Sequence, residues 1–600
     1  MFFDGMEKLT VLELNEVRML QLPPSLANLV NLRMLCLNEC QLEDITILKD
    51  LKNNLEVLSL RGSDIKALPS EIGQLTQLRL LDLRDCNKLS KIPQGVISNL
   101  SRLEELYILD SFVQWEDATA NKERSNVSLD ELRKLTQLTT LHIHIPNAML
   151  LPKDICFENL IRFIISMGES FDSFEYQSST RMFKLVGVPF RDEFNVLLER
   201  AEVLHLEKVE GLQKVTFPAL EQLNIYGLPK LTEIWDRKLP PPESFKELWD
   251  LSIWSCKKLV NVGLSNMPRQ LPKLRALYVA YCQELKVVVL ENGEENEKAE
   301  NNTNTILFPQ LTGLALLHLE SLKSFCTSRS ERQSLFTSQV AFPALEVLTI
   351  WELHNIIEIW DKQILIASEK ESKSFCQLKD IEVSNCEKLV QVVQFNMLPR
   401  LQNLKKFNVD NCPRMEVIVS EKEKEEGTTT NDIIVFSQLT TLNLFELVSL
   451  KSFYNWPTRY EAQPLFNHQV AFPVLEDLKL QKLPNMIEIW DRQLLIASEK
   501  ESKSFCQLKD MKVSNCEKLV HIVQFNMLPR LQNLKKFNVD NCPRMEAIVS
   551  EKEKEEGTPR NDIIMFSQLT TLNLSKLVSL KSFYNWPTRS KAQPLFNQQV

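Results

Sequence analysis

Two histidines, His142 and His144, alternate in the segment LHIHI at 141–145. On a strand, side chains two apart share a face, so the pair can ligate a metal ion or meet a partner. No third ligand accompanies them, and contact with a partner is the reading adopted. Eight cysteines recur at one place in a repeated pattern, L-x-x-L-x-L-x-x-C: Cys40, Cys86, Cys256, Cys282, Cys386, Cys412, Cys516 and Cys542. Successive strands would bring Cys256 near Cys282 and Cys386 near Cys412, as a disulfide or metal site requires. The chain has no CxxC pair and no Cys/His cluster at zinc spacing. Each cysteine is therefore read as a small apolar side chain turned inward, with a weak thiol donor. No Ser/His/Asp or Cys/His arrangement stands out, and no G-x-x-x-x-G-K-[ST] loop is present to cradle phosphates. The expectation is a chain that is not an enzyme and has no catalytic, metal or cofactor site.

The element that positions these residues is a short strand. In L-x-x-L-x-L the last three residues alternate, so two leucines point one way and the residue between them the other. Copies start at Leu9, Leu32, Leu55, Leu78 and Leu103, and continue to Leu569, with degenerate copies near Thr180 and Ala201. The spacing predicts about 21 units, the irregular period of leucine-rich repeats. One unit cannot bury its own leucines, but stacked units bury a continuous column and pair their strands into a parallel sheet. The expected fold is an α/β leucine-rich-repeat solenoid, a horseshoe or superhelix with a concave parallel β-sheet and an irregular convex side. Its "x" residues line the concave face as a protein-binding surface. In the first 230 residues these are Arg61, Asp82, Arg84, Tyr107, His142, His144 and Tyr226. Further on, Trp254, Tyr278, Tyr281, Trp351 and Phe445 fall at exposed strand positions, where aromatic side chains serve as binding anchors. The tryptophans of the recurrent EIWD (Trp235, Trp360, Trp490) lie beyond the strand and are read as packing on the convex side.

Composition narrows the function classes. The chain has 600 residues, 44% apolar and 25% charged, with a net charge of −9. That is a folded composition without the basic footprint of a nucleic-acid binder. No apolar run approaches a membrane span. Asp4 and Glu7 sit where a signal peptide wants a basic start. Thirteen cysteines, an odd number in a long chain, argue against a secreted disulfide framework and for a reducing, cytoplasmic compartment. Four glycosylation sequons, at Asn99, Asn126, Asn301 and Asn573, are read as chance.

A longer repeat is superimposed on the short one. The chain divides into regular LP-containing repeats at 1–145, degenerate repeats at 146–216, a diverged long copy at 217–340, and long copies at 341–470 and 471–600. The last two align without gaps and are identical at 107 of 130 positions. Of the 23 differences, seven fall on the 20 positions expected on or beside the concave face. They are Val347/Asp477, Thr349/Lys479, Trp351/Gln481, Glu352/Lys482, Glu382/Lys512, Phe445/Ser575 and Glu446/Lys576. Three reverse charge, whereas many differences elsewhere are mild, such as Ile350/Leu480. Drift would change all exposed faces alike, yet the acidic runs EKEKEEG at 421–427 and 551–557 are unchanged. The pattern reads as a binding face retuned after duplication. These runs and ENGEENEKAENN at 291–302 are expected to be solvated loops.

The segments LPPSLANLVNLRMLCLNEC (22–40) and LPSEIGQLTQLRLLDLRDCNKLSKIP (68–93) combine an LP motif, the leucine count and the inward cysteine. That order resembles the repeats of plant intracellular nucleotide-binding leucine-rich-repeat disease resistance proteins of the coiled-coil subclass. SFCQLKDIEVSNCEKLV (374–390) and LKKFNVDNCPRMEVIV (404–419) are similar to their long C-terminal extensions. The resemblance implies recognition of a pathogen effector or a guarded host protein, and restraint of a nucleotide-binding switch domain. ADP or ATP is expected only in that domain, which is expected to lie outside this chain; the GLPK at 227–230 sits inside a repeat. No polar capping unit is seen at either end, so the chain is expected to be part of a longer protein. The alternative is a free-standing repeat scaffold or ubiquitin-ligase adaptor, which would need an F-box-like helical segment that the N-terminus does not show.

Overall fold

The computed structural model describes residues 3–19, 21–117, 125–152, 155, 157–169, 181–209, 217–234, 244–291, 305–327, 334–361, 373–420, 433–454, 464–491, 504–550 and 566–584. The chain forms two compact units, Met1–Lys230 with Lys238–Leu248, and Leu231–Arg237 with Trp249–Val600. Each leucine motif becomes a short strand. In Val347–Trp351 (VLTIW), Leu348 and Ile350 are buried while Val347 and Trp351 are exposed. Burying a leucine-sized side chain contributes about 1.5–3 kcal/mol, and only stacking provides the partner surface.

Among the described residues the first unit pairs ten parallel strands in chain order, from Val11–Asn15 to Gln222–Tyr226. The second pairs eleven, from Asp250–Trp254 to Thr571–Ser575. The degenerate motifs near Thr180 and Ala201 form the strands Arg181–Val186 and Val203–Glu207. Parallel neighbours need a crossover, and each unit supplies one on the leucine side of its sheet.

Those crossovers differ between units. In the first, Pro23 and Pro69 cap the short 3-10 turns Pro24–Asn28 and Ser70–Gln74, where proline's fixed φ suits the turn. In the second, short strands such as Glu358–Trp360 and Ser452–Tyr454 stand on the leucine side over a phenylalanine core. Phe308, Phe325, Phe336, Phe342 and Phe375 touch in a cluster with ring centroids 5.2–5.8 Å apart. Phe436, Phe453, Phe466, Phe472 and Phe505 repeat it at 5.3–5.7 Å. Trp360 and Trp490 close these clusters, fully buried against Phe375 and Phe505. Trp235 lies outside the described residues, as do both EKEKEEG runs and all but Glu291 of 291–302.

A backbone device ends each of the eleven strands paired in the second unit. The next residue takes a left-handed φ although it is not glycine: Tyr281, His318, Glu352, Asn385, Asn411, Glu446, Lys482 and Lys576 lie between 45° and 60°. Such a conformation costs on the order of 1–2 kcal/mol per residue. Each of these amides donates one further rung to the ladder where the next unit follows, as Glu352 N–H does to Ser384 O at 2.9 Å and Lys482 N–H to Ser514 O at 2.9 Å. The reversal aims the following residue inward, and after six of these eleven strands that residue is the cysteine of the motif.

All eight of those cysteines are buried. The Cys86 thiol donates to Leu60 O at 3.0 Å, and Cys386 and Cys516 each to the carbonyl two residues back at 3.4 Å. Burial pushes Cys86 up to about 12. The Cys256 thiol beside it, then burial, push Cys282 far above the ordinary thiol range, and Cys386 acts on Cys412 in the same way. Among the described residues no cysteine is in a disulfide.

Candidate protein-binding face

The face opposite the leucines is open in both units, and register sorts its side chains into rows. In the first unit one row holds Asp82, Tyr107 and His142. Asp82 was expected to be exposed, but it is buried. Arg84 folds back onto it with Nε at 3.0 Å and a terminal nitrogen at 2.6 Å from its carboxylate. The same guanidinium lies 4.6 Å from the centre of the Tyr107 ring, which meets His142 edge-on at 4.7 Å. The Tyr107 hydroxyl donates to Glu105, whose other oxygen pairs with Arg162 at 3.0 Å. Burial, then the Glu105 hydrogen bond, pushes Tyr107 up to about 12. Burial, aided by Arg84 and Arg162, pushes His142 down to about 4, so it is neutral at pH 7.

His144 lies two residues on, also held below its ordinary value first by burial. Among the described residues no group of three His, Cys, Asp or Glu is placed to hold a metal ion. Arg61 pairs with Asp85 at 2.9 Å near the surface, and Tyr226 is exposed. Further along the His142 row stand Ile164, Met182 and Val203, buried together with Leu109. The sequence reading missed this apolar stretch, because degenerate leucine spacing hides which residues alternate outward.

The second unit carries its aromatic residues as a stack. Trp254 lies 4.8 Å from Tyr278 and 5.9 Å from Tyr281, both near-parallel. Tyr281 stacks on His318 at 4.2 Å, and His318 meets Trp351 at 5.1 Å. His318 Nδ1 pairs with the Glu352 carboxylate. Burial, then His354, holds the His318 imidazole below its ordinary value, while Glu320 opposes them. His318 was not among the sequence candidates. Counting the same post-strand position that holds Tyr281 and Glu352 would have found it.

Beyond Trp351 the stripe turns ionic. Glu382, Asn408, Asn443, Lys479 and Lys512 share one row of the sheet. Glu446 pairs with Lys482 at the junction between the two long copies. Phe445 stands in register with Asp410, whose carboxyl burial raises above its ordinary range. The equivalent Ser575 instead donates to Asp540 at 2.6 Å. Asparagines pair across strands identically in both copies, Asn411 to Asn385 and Asn541 to Asn515 at 2.7 Å. Val347 is exposed, Thr349 and Asp477 are half-buried, Gln481 is half-buried, and Lys576 is exposed. Burial also raises the Asp477 carboxyl.

Stacked parallel strands with a leucine interior, an inward cysteine and an open polar face define a leucine-rich-repeat solenoid. The chain belongs to the family described as plant disease resistance protein RPS2-like, leucine-rich repeats, which matches residues 219–352, 345–467 and 474–593. It is similar to the probable disease resistance protein At1g61190 of Arabidopsis thaliana, with 28% identity over 310 residues. That match takes in 49% of this chain and 29% of the relative, so the chain spans under a third of that protein's length. Among solved structures it is similar to the LRR protein LIC12759 of Leptospira interrogans, at TM-score 0.39 and 19% identity over 68% of this chain and 85% of that one. YopM of Yersinia enterocolitica matches at TM-score 0.39 and 15% identity, over 98% and 91% of the two chains. No helix among the described residues is long and apolar enough to cross a membrane.

Proposed function

We propose that this chain is the recognition region of a plant immune receptor that works in the cytoplasm, binding a pathogen effector or a guarded host protein through its open face. It acts by binding rather than by catalysis, and in the resting receptor it restrains a nucleotide-binding switch domain. The observation that carries this reading is the contrast between the long copies. The phenylalanine cluster that joins each copy to the one before it and the asparagine pairs repeat, while seven face positions change drastically. Aromatic anchors and charge complementarity set partner choice in protein interfaces.

The test places Trp351→Ala with Glu382→Lys in the receptor that carries these repeats. Accumulation of the protein and the plant's response to a recognised pathogen isolate are followed together. Normal accumulation with loss of the response is the expected result. An undiminished response would overturn the reading.

A further inference from the structure

The open face of the second unit changes chemical character along its length. From Trp254 to Trp351 it is an aromatic stack, and it continues into the carboxylates Glu352, Glu382 and Glu446. The next copy places Lys479, Lys482, Lys512 and Lys576 on the same face. At the seven changed positions the net charge is −3 in the first copy and +3 in the second. Much of this charge is uncommitted: among the described residues Glu382, Lys479, Lys512 and Lys576 enter no ion pair. Glu446 and Lys482 do pair, and they mark where the sign changes.

Spacing turns this into a pattern. Glu382 and Lys512 occupy one row of the sheet, four strands apart. At about 4.8 Å per strand they are roughly 19 Å apart, the reach of about six extended residues running along the row. Guanidinium groups suit the first zone, because they stack on aromatic rings and bind carboxylates. Carboxylates suit the second.

We infer that the partner presents this face with a dipolar segment: arginine-rich where it meets Trp351, Glu352 and Glu382, and acidic about six residues further on, over Lys479 and Lys512. The inference rests on the proposed recognition role and adds the partner's chemistry and its direction along the sheet. A uniformly basic or uniformly acidic segment meets like charge at one end, which costs several kcal/mol at a close interface.

The experiment selects a phage library of random 16-residue peptides against the full chain. It is repeated on a Glu352→Lys, Glu382→Lys variant and on a Lys479→Glu, Lys512→Glu variant, each checked for the parent's unfolding midpoint. Peptides with basic and acidic clusters about six residues apart should be enriched on the parent, and should bind each variant at least tenfold more weakly. Enriched peptides of uniform charge, or peptides indifferent to both variants, would overturn the dipolar inference and leave the recognition role standing. Failure to enrich any peptide on the parent chain would count against both.

Discussion

The long copies 341–470 and 471–600 are one scaffold built twice with different faces. Inside, the phenylalanine cluster that joins each copy to the one before it keeps its ring distances to about 0.1 Å, as in Phe336–Phe342 and Phe466–Phe472 or Phe336–Phe375 and Phe466–Phe505. The capping contacts agree too: Ser374 and Ser504 each accept the backbone N–H of Phe342 or Phe472 at 2.9 Å. Lys379 and Lys509 pair with Glu346 and Glu476 at 2.7 Å. Outside, an aromatic and acidic surface gives way to a basic one. Cores resist change because close packing makes even one methylene felt, whereas an exposed strand position tolerates any residue the solvent accepts. The difference separates what folds the chain from what distinguishes its faces.

The comparison predicts that core substitutions act alike in both copies. Cys386→Asp and Cys516→Asp each place a carboxyl in a site built for a thiol, and each should cost about 4 kcal/mol or more. Denaturant unfolding of the two variants checks this; an unchanged midpoint in either would show that its cysteine does not point inward. Phe342→Ala and Phe472→Ala should each cost about 3 to 4 kcal/mol, with nearly equal values. A large disparity would break the equivalence of the two cores.

Face substitutions should split the copies. Trp351→Ala removes a ring that is 40% exposed and touches His318 at its edge, so the unfolding midpoint should barely move. Partner binding should fall by about 2 kcal/mol, the scale of an aromatic anchor. Gln481→Ala, at the equivalent position, should leave both nearly unchanged. Binding titrations beside thermal melts decide, and a collapse of the fold in Trp351→Ala would make that ring part of the core.

The smallest effect concerns the first unit, where Asp82, Arg84, Tyr107 and His142 pack on one another. His142 sits at about 4 in the folded chain against an ordinary 6.5. Between those values the unfolded chain binds a proton that the folded chain refuses. Its contribution to stability is therefore full above about pH 6.5 and lost as the pH falls toward 4. Amide exchange in Glu105–Tyr107 and Thr140–Ile145 should quicken on acidification beyond the intrinsic pH effect, and less so in His142→Asn. Equal acceleration in both would assign the pH response to other groups.

The strands were legible because alternation leaves few choices for leucine, and even the degenerate units at Arg181–Val186 and Val203–Glu207 kept enough of the pattern to be placed. The inward cysteines were legible for the same reason. The left-handed residues were not, since Glu352, Lys482 and Tyr281 carry no glycine signature. The ladder's extra hydrogen bond, which sequence does not display, holds them there. Side-chain partnerships were the other blind spot. Asp82 occupies an outward position but is buried because Arg84 and Tyr107 lie over it. His318 became part of the aromatic stack only once neighbouring units brought Tyr281 and Trp351 to either side.

The most direct test of this account writes the second copy's seven face residues into the first: Val347→Asp, Thr349→Lys, Trp351→Gln, Glu352→Lys, Glu382→Lys, Phe445→Ser and Glu446→Lys in a single variant. Its unfolding midpoint and its affinity for peptides selected on the parent chain are then measured together. A scaffold with an independent face predicts an unfolding free energy within about 1 kcal/mol of the parent. Affinity should fall at least tenfold. A large loss of stability, or full retention of binding, would contradict it.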